Sequence, residues 1–262
     1  MMKRRELIQY AGAGLLAAVG TSLTSGLQGY QAQTSSVLSV QWLGHTCFLF
    51  VANGLKILVN PFRPVGCTAG YRAPKVKADL VLISSQLLDE GEITGLPGNP
   101  KILYEAGDYE WQGMKLRGIA IDHDRNGGRQ FGTNVAWRWT QGDINILHLG
   151  GAAAPIAIEQ KILMNRPDLI LVPVGGKGDD RKAYNAEEAK AAVDALGPKL
   201  VIPTHYRTRA ADAAKCDIFP VDEFLKLMKG KPIRRTNSDT IELRPGSLPK
   251  DDYAVQVLSY RF

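Results

Sequence analysis

A long succession of short, β-prone segments separated by turn residues constrains this chain more than any other feature of its sequence. From residue 37 onward strand-like segments come first, and strand-like and helix-like segments alternate later. Such an order predicts an α/β fold in which layered sheets form a sandwich with helices outside. The strands predicted in the first part are 40–43, 47–51, 56–59, 80–84, 101–104, 114–121, 135–140 and 144–148.

Turn and cap residues mark the boundaries of several elements. Asn53-Gly54 is a strong hairpin signal. The clearest helix covers residues 185–196. Asn185 suits its N-cap, Glu188 the capping-box position and Gly197 the C-terminal cap. Further predicted elements are a hairpin turn at 141–143, helices at 156–164 and 221–228, and strands at 169–174 and 200–203.

The first 32 residues have the layout of an export signal. The basic stretch Lys3-Arg4-Arg5 precedes a short run rich in alanine and glycine at 10–20, and small and polar residues follow. The paired arginines resemble the twin-arginine consensus, whose signals have mild apolar regions of this kind. The run is shorter than the about 20 residues that a membrane span needs. We therefore predict an export signal at 1–32 and a single domain at 37–262.

The fate of this signal is open. Cleavage between Gly26 and Ala32 is one outcome. Because Tyr30 fits the −3 position of a cleavage site poorly, retention as an uncleaved anchor is the other. In either case the expected location is the periplasm or a thylakoid-like lumen. Membrane contact is expected only through an uncleaved signal.

The distribution of charge and the spacing of the cysteines argue against a nucleic-acid partner and against a cysteine-based metal or redox motif. The net charge is +6, of which the first 32 residues contribute +2 through three basic residues and one acidic residue. The remaining Lys and Arg residues are scattered without interleaved aromatic residues, so we predict no nucleic-acid partner. No pair among Cys47, Cys67 and Cys216 has the spacing of a zinc knuckle or a C-x-x-C redox motif. The three allow one disulfide and one free thiol, and Cys47 is expected in the core.

Seven segments, in order along the chain, resemble the metallo-β-lactamase fold superfamily. Within it, they are most similar to the group of ascorbate-6-phosphate lactonase-like and N-acylphosphatidylethanolamine phospholipase D-like hydrolases. Each segment alone is a weak signal, but seven segments in the family order make the resemblance specific. It implies a four-layer αβ/βα sandwich with metal ions held between loops at one sheet edge. The segments are VQWLGHTCFLF (40–50), KILVNPF (56–62), ADLVLISSQLLDE (78–90), AIDHD (120–124), INILHLGG (144–151), DLILVPVGG (168–176) and KLVIPTHY (199–206).

The chain departs from this family at the metal ligands. The first metal site of the family keeps only His123, so we expect that site to be lost, because a serine hydroxyl is a poor zinc ligand and leucine is none. The second site keeps Asp89 and His205, with Glu90 in place of a histidine. Laid on the family's T-H-x-H-x-D-H motif, Ser85 and Leu87 fall on two histidines, Asp89 on the aspartate and Glu90 on the last histidine, while Gly151 falls on the bridging aspartate.

The second set of ligands has two interpretations. Asp89, Glu90 and His205 can hold a single divalent ion, such as zinc. Alternatively, Asp89 caps backbone amides of its own loop and Glu90 is solvated. We favour the second interpretation, so no cofactor is expected, and one divalent metal ion is the alternative.

Other polar residues near the expected cleft have structural interpretations. His45, in the turn GHT, and His148, on an apolar strand, are interpreted as hydrogen-bonded structural histidines. The glycine-rich stretch 125–133 is predicted to be a loop over the site. Residues expected to line the cleft are His45, Ser85, Leu87, Gly151 and Arg129.

Three hypotheses about function follow. The favoured one is an exported protein of metal-dependent-hydrolase type that has lost most metal ligands and binds a small molecule or a protein partner without catalysis. The first alternative is a mononuclear metal-dependent hydrolase of an ester, lactone or phosphodiester, with Asp89 and His205 as candidate catalytic residues. The second is an assembly or scaffold factor at a membrane surface. No G-x-S-x-G or H-E-x-x-H motif points to another hydrolase class.

Overall fold

Two mixed β-sheets make up most of the described chain. The computed structural model describes residues 36–177, 183–212 and 214–262. The predicted export signal and its cleavage point lie outside the described residues, as does part of the loop that begins at Gly175. Among the helices of the described ranges, none is long and apolar enough to cross a bilayer.

The first sheet has six strands in the described chain. Its order is β13-β1-β2-β3-β4-β5, antiparallel from β13 to β3 and parallel from β3 to β5. The burial of β1 alternates strictly, as expected for a strand with one face in the core. The strands are β1 (Leu38–Gly44), β2 (Cys47–Ala52), β3 (Leu55–Val59), β4 (Leu80–Leu82), β5 (Lys101–Leu103) and β13 (Thr240–Leu243).

The second sheet has eight strands in the described chain, in the order β12-β14-β11-β10-β9-β8-β7-β6. It is parallel from β12 to β9 and antiparallel from β9 to β6. Strands β10 and β11 are buried along their whole length, as is typical of parallel strands covered on both faces. The strands are β6 (Gly107–Trp111), β7 (Met114–Asp122), β8 (Thr133–Gln141), β9 (Ile144–His148), β10 (Leu169–Pro173), β11 (Leu200–Thr204), β12 (Ile233–Arg235) and β14 (Ala254–Val257).

Large aromatic side chains fill the space between the two sheets. Phe50 on β2 meets Trp139 on β8 edge to face, with ring centroids 5.0 Å apart. Trp137, also on β8, is fully buried, and its indole nitrogen donates a hydrogen bond to the carbonyl of Ile83, 3.0 Å away. Ile83 directly follows β4, so this bond joins the eight-stranded sheet to the loop that leaves the six-stranded one. Aromatic burial of this kind supplies much of the stabilisation of a core.

Three α-helices accompany the eight-stranded sheet in the described ranges: α1 (Ile158–Met164), α2 (Ala186–Leu196) and α3 (Asp222–Leu227). Helix α1 contacts β7, α2 contacts β10, and α3 contacts α2. The predicted caps of α2 are confirmed. The side chains of Asn185 and Glu188 each accept a hydrogen bond from the backbone nitrogen of the other, and Gly197 ends the helix in the left-handed conformation.

The α/β sandwich predicted from the sequence is confirmed, and both predicted hairpin turns are present. Four strands escaped prediction: β6, β12, β13 and β14. Strand β12 is exposed throughout and β6 is mostly exposed, so neither has an apolar pattern that would distinguish it from a loop. Their strand conformation comes from pairing at the two edges of a sheet.

A disulfide joins two loops that are far apart in sequence. Cys67 lies in a 3₁₀ turn after β3 and is bonded to Cys216, after β11, at a sequence separation of 149. Cys47 is buried and free, as expected. The one disulfide and one free thiol that the sequence allowed are therefore both present.

Reduction of this disulfide should lower the free energy of unfolding by about 2–5 kcal/mol, because the cross-link restricts an unfolded loop of that length. Denaturant unfolding with and without dithiothreitol measures the effect. A Cys67→Ser/Cys216→Ser variant is the control: it should match the reduced wild type and be insensitive to the reductant. Equal stability of the oxidised and reduced wild type would contradict the prediction.

Candidate metal centre

The ends of several strands bring the candidate residues to one region. Asp89 lies in the loop after β4, His123 directly follows β7 and His205 directly follows β11. Gly151 lies three residues after β9, and His45 lies in the turn between β1 and β2. Loops after the carboxyl ends of strands are the usual place for a site in sheets of this kind.

His45, Asp89 and His205 form a cluster that we call the metal cluster. Each offers one ligand atom, and these three atoms all lie within 4.8 Å of one another. His45 Nε2 is 4.0 Å from Asp89 Oδ2, and the two imidazole rings meet edge to face with centroids 4.2 Å apart. Two imidazoles and a carboxylate are ligands that zinc and other divalent transition metals accept. The residues present therefore fit a single divalent ion.

Both histidines of the metal cluster have a left-handed backbone. The φ angle is 53° at His45 and 51° at His205. This conformation is uncommon for residues other than glycine and is enriched at functional sites, where surrounding structure holds it in place. At His45 the carbonyl accepts a hydrogen bond of 3.0 Å from the indole nitrogen of Trp42. The hydrogen bond from Trp42 thus helps to hold the otherwise unfavourable conformation of His45.

Burial keeps His205 in the form that binds metal. Its side chain is almost fully buried. Burial and the neighbouring His45 lower the pKa of His205 to about 3, so the imidazole is neutral near pH 7. A neutral imidazole has a lone pair available for a metal ion. Asp89, which is half-buried, supplies the negative charge of the cluster.

Glu90 lies in a different group, which we call the Glu90–His123 pair. Its Oε2 accepts a hydrogen bond of 2.8 Å from Ser85 Oγ and lies 3.0 Å from His123 Nε2. Both members of the pair are 1% exposed. Burial alone would raise the pKa of Glu90, but the charge and hydrogen bond of His123 outweigh it and lower that pKa to about 2. Burial alone would lower the pKa of His123. The charge and hydrogen bond of Glu90 outweigh burial, so the pKa of His123 is raised.

Gly151 leaves the space that this pair occupies. A Cβ atom at residue 151 would lie 2.5 Å from His123 Nε2 and 2.7 Å from Glu90 Oε1, closer than real Cβ contacts. The carboxylate of Glu90 therefore fills the region into which a side chain at 151 would project. The side chains that positions 90 and 151 can carry are therefore sterically linked.

The grouping differs from that expected from the sequence. Asp89 and His205 lie together, but their third neighbour is His45, and Glu90 is buried against His123 instead of being solvated or joining them. His45 was assigned a structural role. Its position in the family-like segment WLGH, at the end of a strand, was the signal that could have identified it.

The remaining predicted residues have separate places. His148 is a structural histidine, as expected: its Nε2 lies 3.0 Å from the carbonyl oxygen of Thr46, its Nδ1 accepts from the backbone nitrogen of Gly150, and burial lowers its pKa to about 4. Ser85 belongs to the buried pair. Arg129 is exposed on its loop. Asp124 accepts hydrogen bonds from four backbone nitrogens of that loop and so orders it.

A cavity of about 320 Å³ opens beside the metal cluster and is lined by Asp89 and His205. Of the residues expected to line the cleft, Leu87 lines this cavity, whereas His45, Ser85, Gly151 and Arg129 do not. The remaining lining combines apolar side chains with a few charged ones. These residues are Val65, Gly66, Cys67, Leu88, Gly176, Lys177, Ala183, Lys215, Asp217 and Ile218. A cavity of this size suits a small-molecule substrate.

Comparison with known proteins agrees with this architecture. Residues 39–205 match the family model described as the beta-lactamase superfamily domain. A protein of Pelotomaculum thermopropionicum named a UPF0173 metal-dependent hydrolase is 31% identical over 199 residues, which is 65% of this chain and 85% of that protein. A protein of the same name from Thermococcus onnurineus is 27% identical, covering 81% of this chain and 99% of its own length.

A solved structure shows the same fold. It is a protein of Thermotoga maritima assigned to the metallo-β-lactamase superfamily, and it superposes with a TM-score of 0.66 at 28% sequence identity. The match covers 84% of this chain and 98% of that protein. The strand order, the position of the site and these similarities agree, and this chain belongs to the metallo-β-lactamase fold superfamily.

Proposed function

We propose that this chain is a hydrolase that works with a single divalent metal ion held by His45, Asp89 and His205. The observation that carries the proposal is the convergence of these three ligand atoms within 4.8 Å, beside a cavity. Three protein ligands with an open position are typical of catalytic rather than structural zinc sites. The relatives named metal-dependent hydrolases support the same class of activity.

The chain's own residues define the surroundings of the reaction. When bound, a divalent ion supplies Lewis acidity for hydrolysis. Asp89 contributes a charge that offsets part of the charge of the ion, and Leu87, Leu88 and Val65 present apolar surface to a substrate in the cavity. Substrates of small size with an ester, lactone or phosphodiester bond fit this combination.

The Glu90–His123 pair supports one ion rather than two. The resemblance implies that the ligands of the family's first metal site, with the bridging aspartate, fall at positions 85, 87, 123 and 151. Here Ser85 Oγ donates to Glu90, His123 Nε2 lies 3.0 Å from Glu90 Oε2, and Gly151 has no side chain. A second cation would have to disrupt this buried hydrogen-bonded pair, which is unfavourable because it separates the two partners in a low-dielectric interior.

Export of the chain to an oxidising compartment is part of the proposal. The twin-arginine-like start of the sequence motivates it. The disulfide between Cys67 and Cys216 supports it, because disulfides persist in exported proteins and are rare in reducing compartments. Fractionation of cells that carry a C-terminally tagged chain tests it, and recovery of the protein in the cytosol alone would exclude export.

Metal analysis tests the site directly. The wild type, loaded with zinc and dialysed, should keep about one equivalent per chain by mass spectrometry. His205→Ala and Asp89→Asn should keep almost none and lose hydrolysis of 4-nitrophenyl acetate or bis(4-nitrophenyl) phosphate. Asp217→Asn is the matched control, because Asp217 also lines the cavity but lies outside the metal cluster, and it should keep its zinc.

Each other result of this measurement has a distinct meaning. Two equivalents in the wild type would contradict a single ion. No bound zinc in the wild type would exclude the metal-dependent hydrolase and favour the rival function, a binding protein without catalysis. Equal loss of zinc from Asp217→Asn would show that the three proposed ligands are not the ones that hold it.

The steric link between Gly151 and the buried pair gives a stability prediction. Gly151→Ala should destabilise the protein by about 1–3 kcal/mol, because the added Cβ overpacks the region of Glu90 and His123. Gly246→Ala is the control, since a Cβ there meets nothing within 4 Å. Urea unfolding of both variants provides the comparison, and equal stability of the two would refute the overpacking argument.

A further inference from the structure

Tyr71 lies between the two loops that carry the histidines of the metal cluster. Its side chain is 4% exposed. The Tyr71 hydroxyl oxygen lies 2.7 Å from Thr208 Oγ1, three residues beyond His205. The same oxygen accepts a hydrogen bond from the backbone nitrogen of His45. One hydroxyl group therefore connects the backbone of one candidate ligand to the loop of the other.

The ring of Tyr71 packs beneath the same loops. Gly44, just before His45, has a φ of 111°, and a Cβ there would lie 2.7 Å from the Tyr71 ring. The Trp42 ring, whose nitrogen donates to the His45 carbonyl, lies 6.1 Å from the Tyr71 ring and 5.6 Å from the ring of Tyr206 between centroids. Aromatic packing thus reaches the residues adjacent to both histidines.

The two histidines come from different sheets. His45 directly follows β1 of the six-stranded sheet, and His205 directly follows β11 of the eight-stranded sheet. Because β1 and β11 are not hydrogen-bonded to each other, the distance between the two histidines is set by contacts between the loops. Side chains that hydrogen-bond to the surroundings of a metal ligand fix its orientation, and their loss lowers metal affinity by about 10–100-fold.

We propose that the Tyr71 hydroxyl is a positioning group that sets the distance between the His45 and His205 imidazoles for a divalent ion. The inference rests on the proposed function, since it assumes that these histidines hold a metal. The loops have further links that keep the fold intact without this hydroxyl. These include the disulfide and a bond from the Gly70 backbone nitrogen to the Ala210 carbonyl, 2.7 Å. Removal of the hydroxyl should loosen the site without unfolding the protein.

Tyr71→Phe is the direct test, because it removes one oxygen and keeps the ring. The Kd for zinc, measured by competition with a chelator, should rise about 10–100-fold. The visible absorption of the cobalt-substituted protein should change in shape and intensity, which reports ligand geometry and not overall stability. Tyr109→Phe is the control, since the Tyr109 hydroxyl donates a hydrogen bond to the Glu105 carbonyl, away from the site. Tyr71→Phe should lower Tm by about 2–4 °C, and Tyr109→Phe by less, because its hydrogen bond is exposed.

Thr208→Val and the double variant Tyr71→Phe/Thr208→Val complete a double-mutant cycle for zinc affinity. If the two hydroxyls act as one link, the double variant should lose little more zinc affinity than Tyr71→Phe alone. Thr208→Val also tests the link if Tyr71→Phe fails to fold. Wild-type zinc affinity and cobalt spectrum in both single variants would overturn the inference and leave the proposed function standing. A wild-type protein that binds no zinc would overturn both the inference and the proposed function. An equal loss of zinc affinity in Tyr109→Phe would overturn the positioning role of Tyr71.

Discussion

Face-to-face packing of two sheets is the constraint on which the rest of this structure depends. Each sheet has an apolar face that water disfavours, and aromatic contacts such as that between Phe50 and Trp139 bury the two faces against each other. Once the sheets are packed, the loops after β4, β7, β9 and β11 and the turn after β1 have little freedom. The metal cluster and the Glu90–His123 pair are consequences of that arrangement, because within each group the residues are far apart in sequence and only the packed sheets bring them together.

The Glu90–His123 pair shows how two ionisable side chains can be kept in the interior of this fold. An unpaired charge in this region would be costly, and removal of one partner of a buried ion pair typically costs about 3–5 kcal/mol. Glu90, His123, Ser85 and Gly151 fit one another sterically and electrostatically. The four positions therefore have to be considered as one unit. Together they form one buried, hydrogen-bonded group.

The sequence was sufficient for features that depend on local chemistry or on ordered motifs. The hairpin at Asn53-Gly54 and the caps of α2 follow from backbone preferences of a few residues, and the fold class follows from seven segments in family order. Edge strand β12 was missed because its exposed residues carry no alternating pattern. At the site, Asp89 and His205 were identified by motif. His45, the third member of the metal cluster, was not identified. Which histidine lies near which carboxylate depends on distances that only the packed sheets define.

The pairing of β1 with β13 places a limit on when this protein can become folded. Leu38 lies opposite Leu243 in that pair, although about two hundred residues separate them in the chain. Until the ribosome has released residue 243, the first strand has an open edge, and an open edge can pair with another chain. Contacts of such long range also form slowly. The nascent chain therefore has to be kept from aggregation through most of its synthesis, and the loop that bears His45 reaches its final surroundings among the last parts of the molecule.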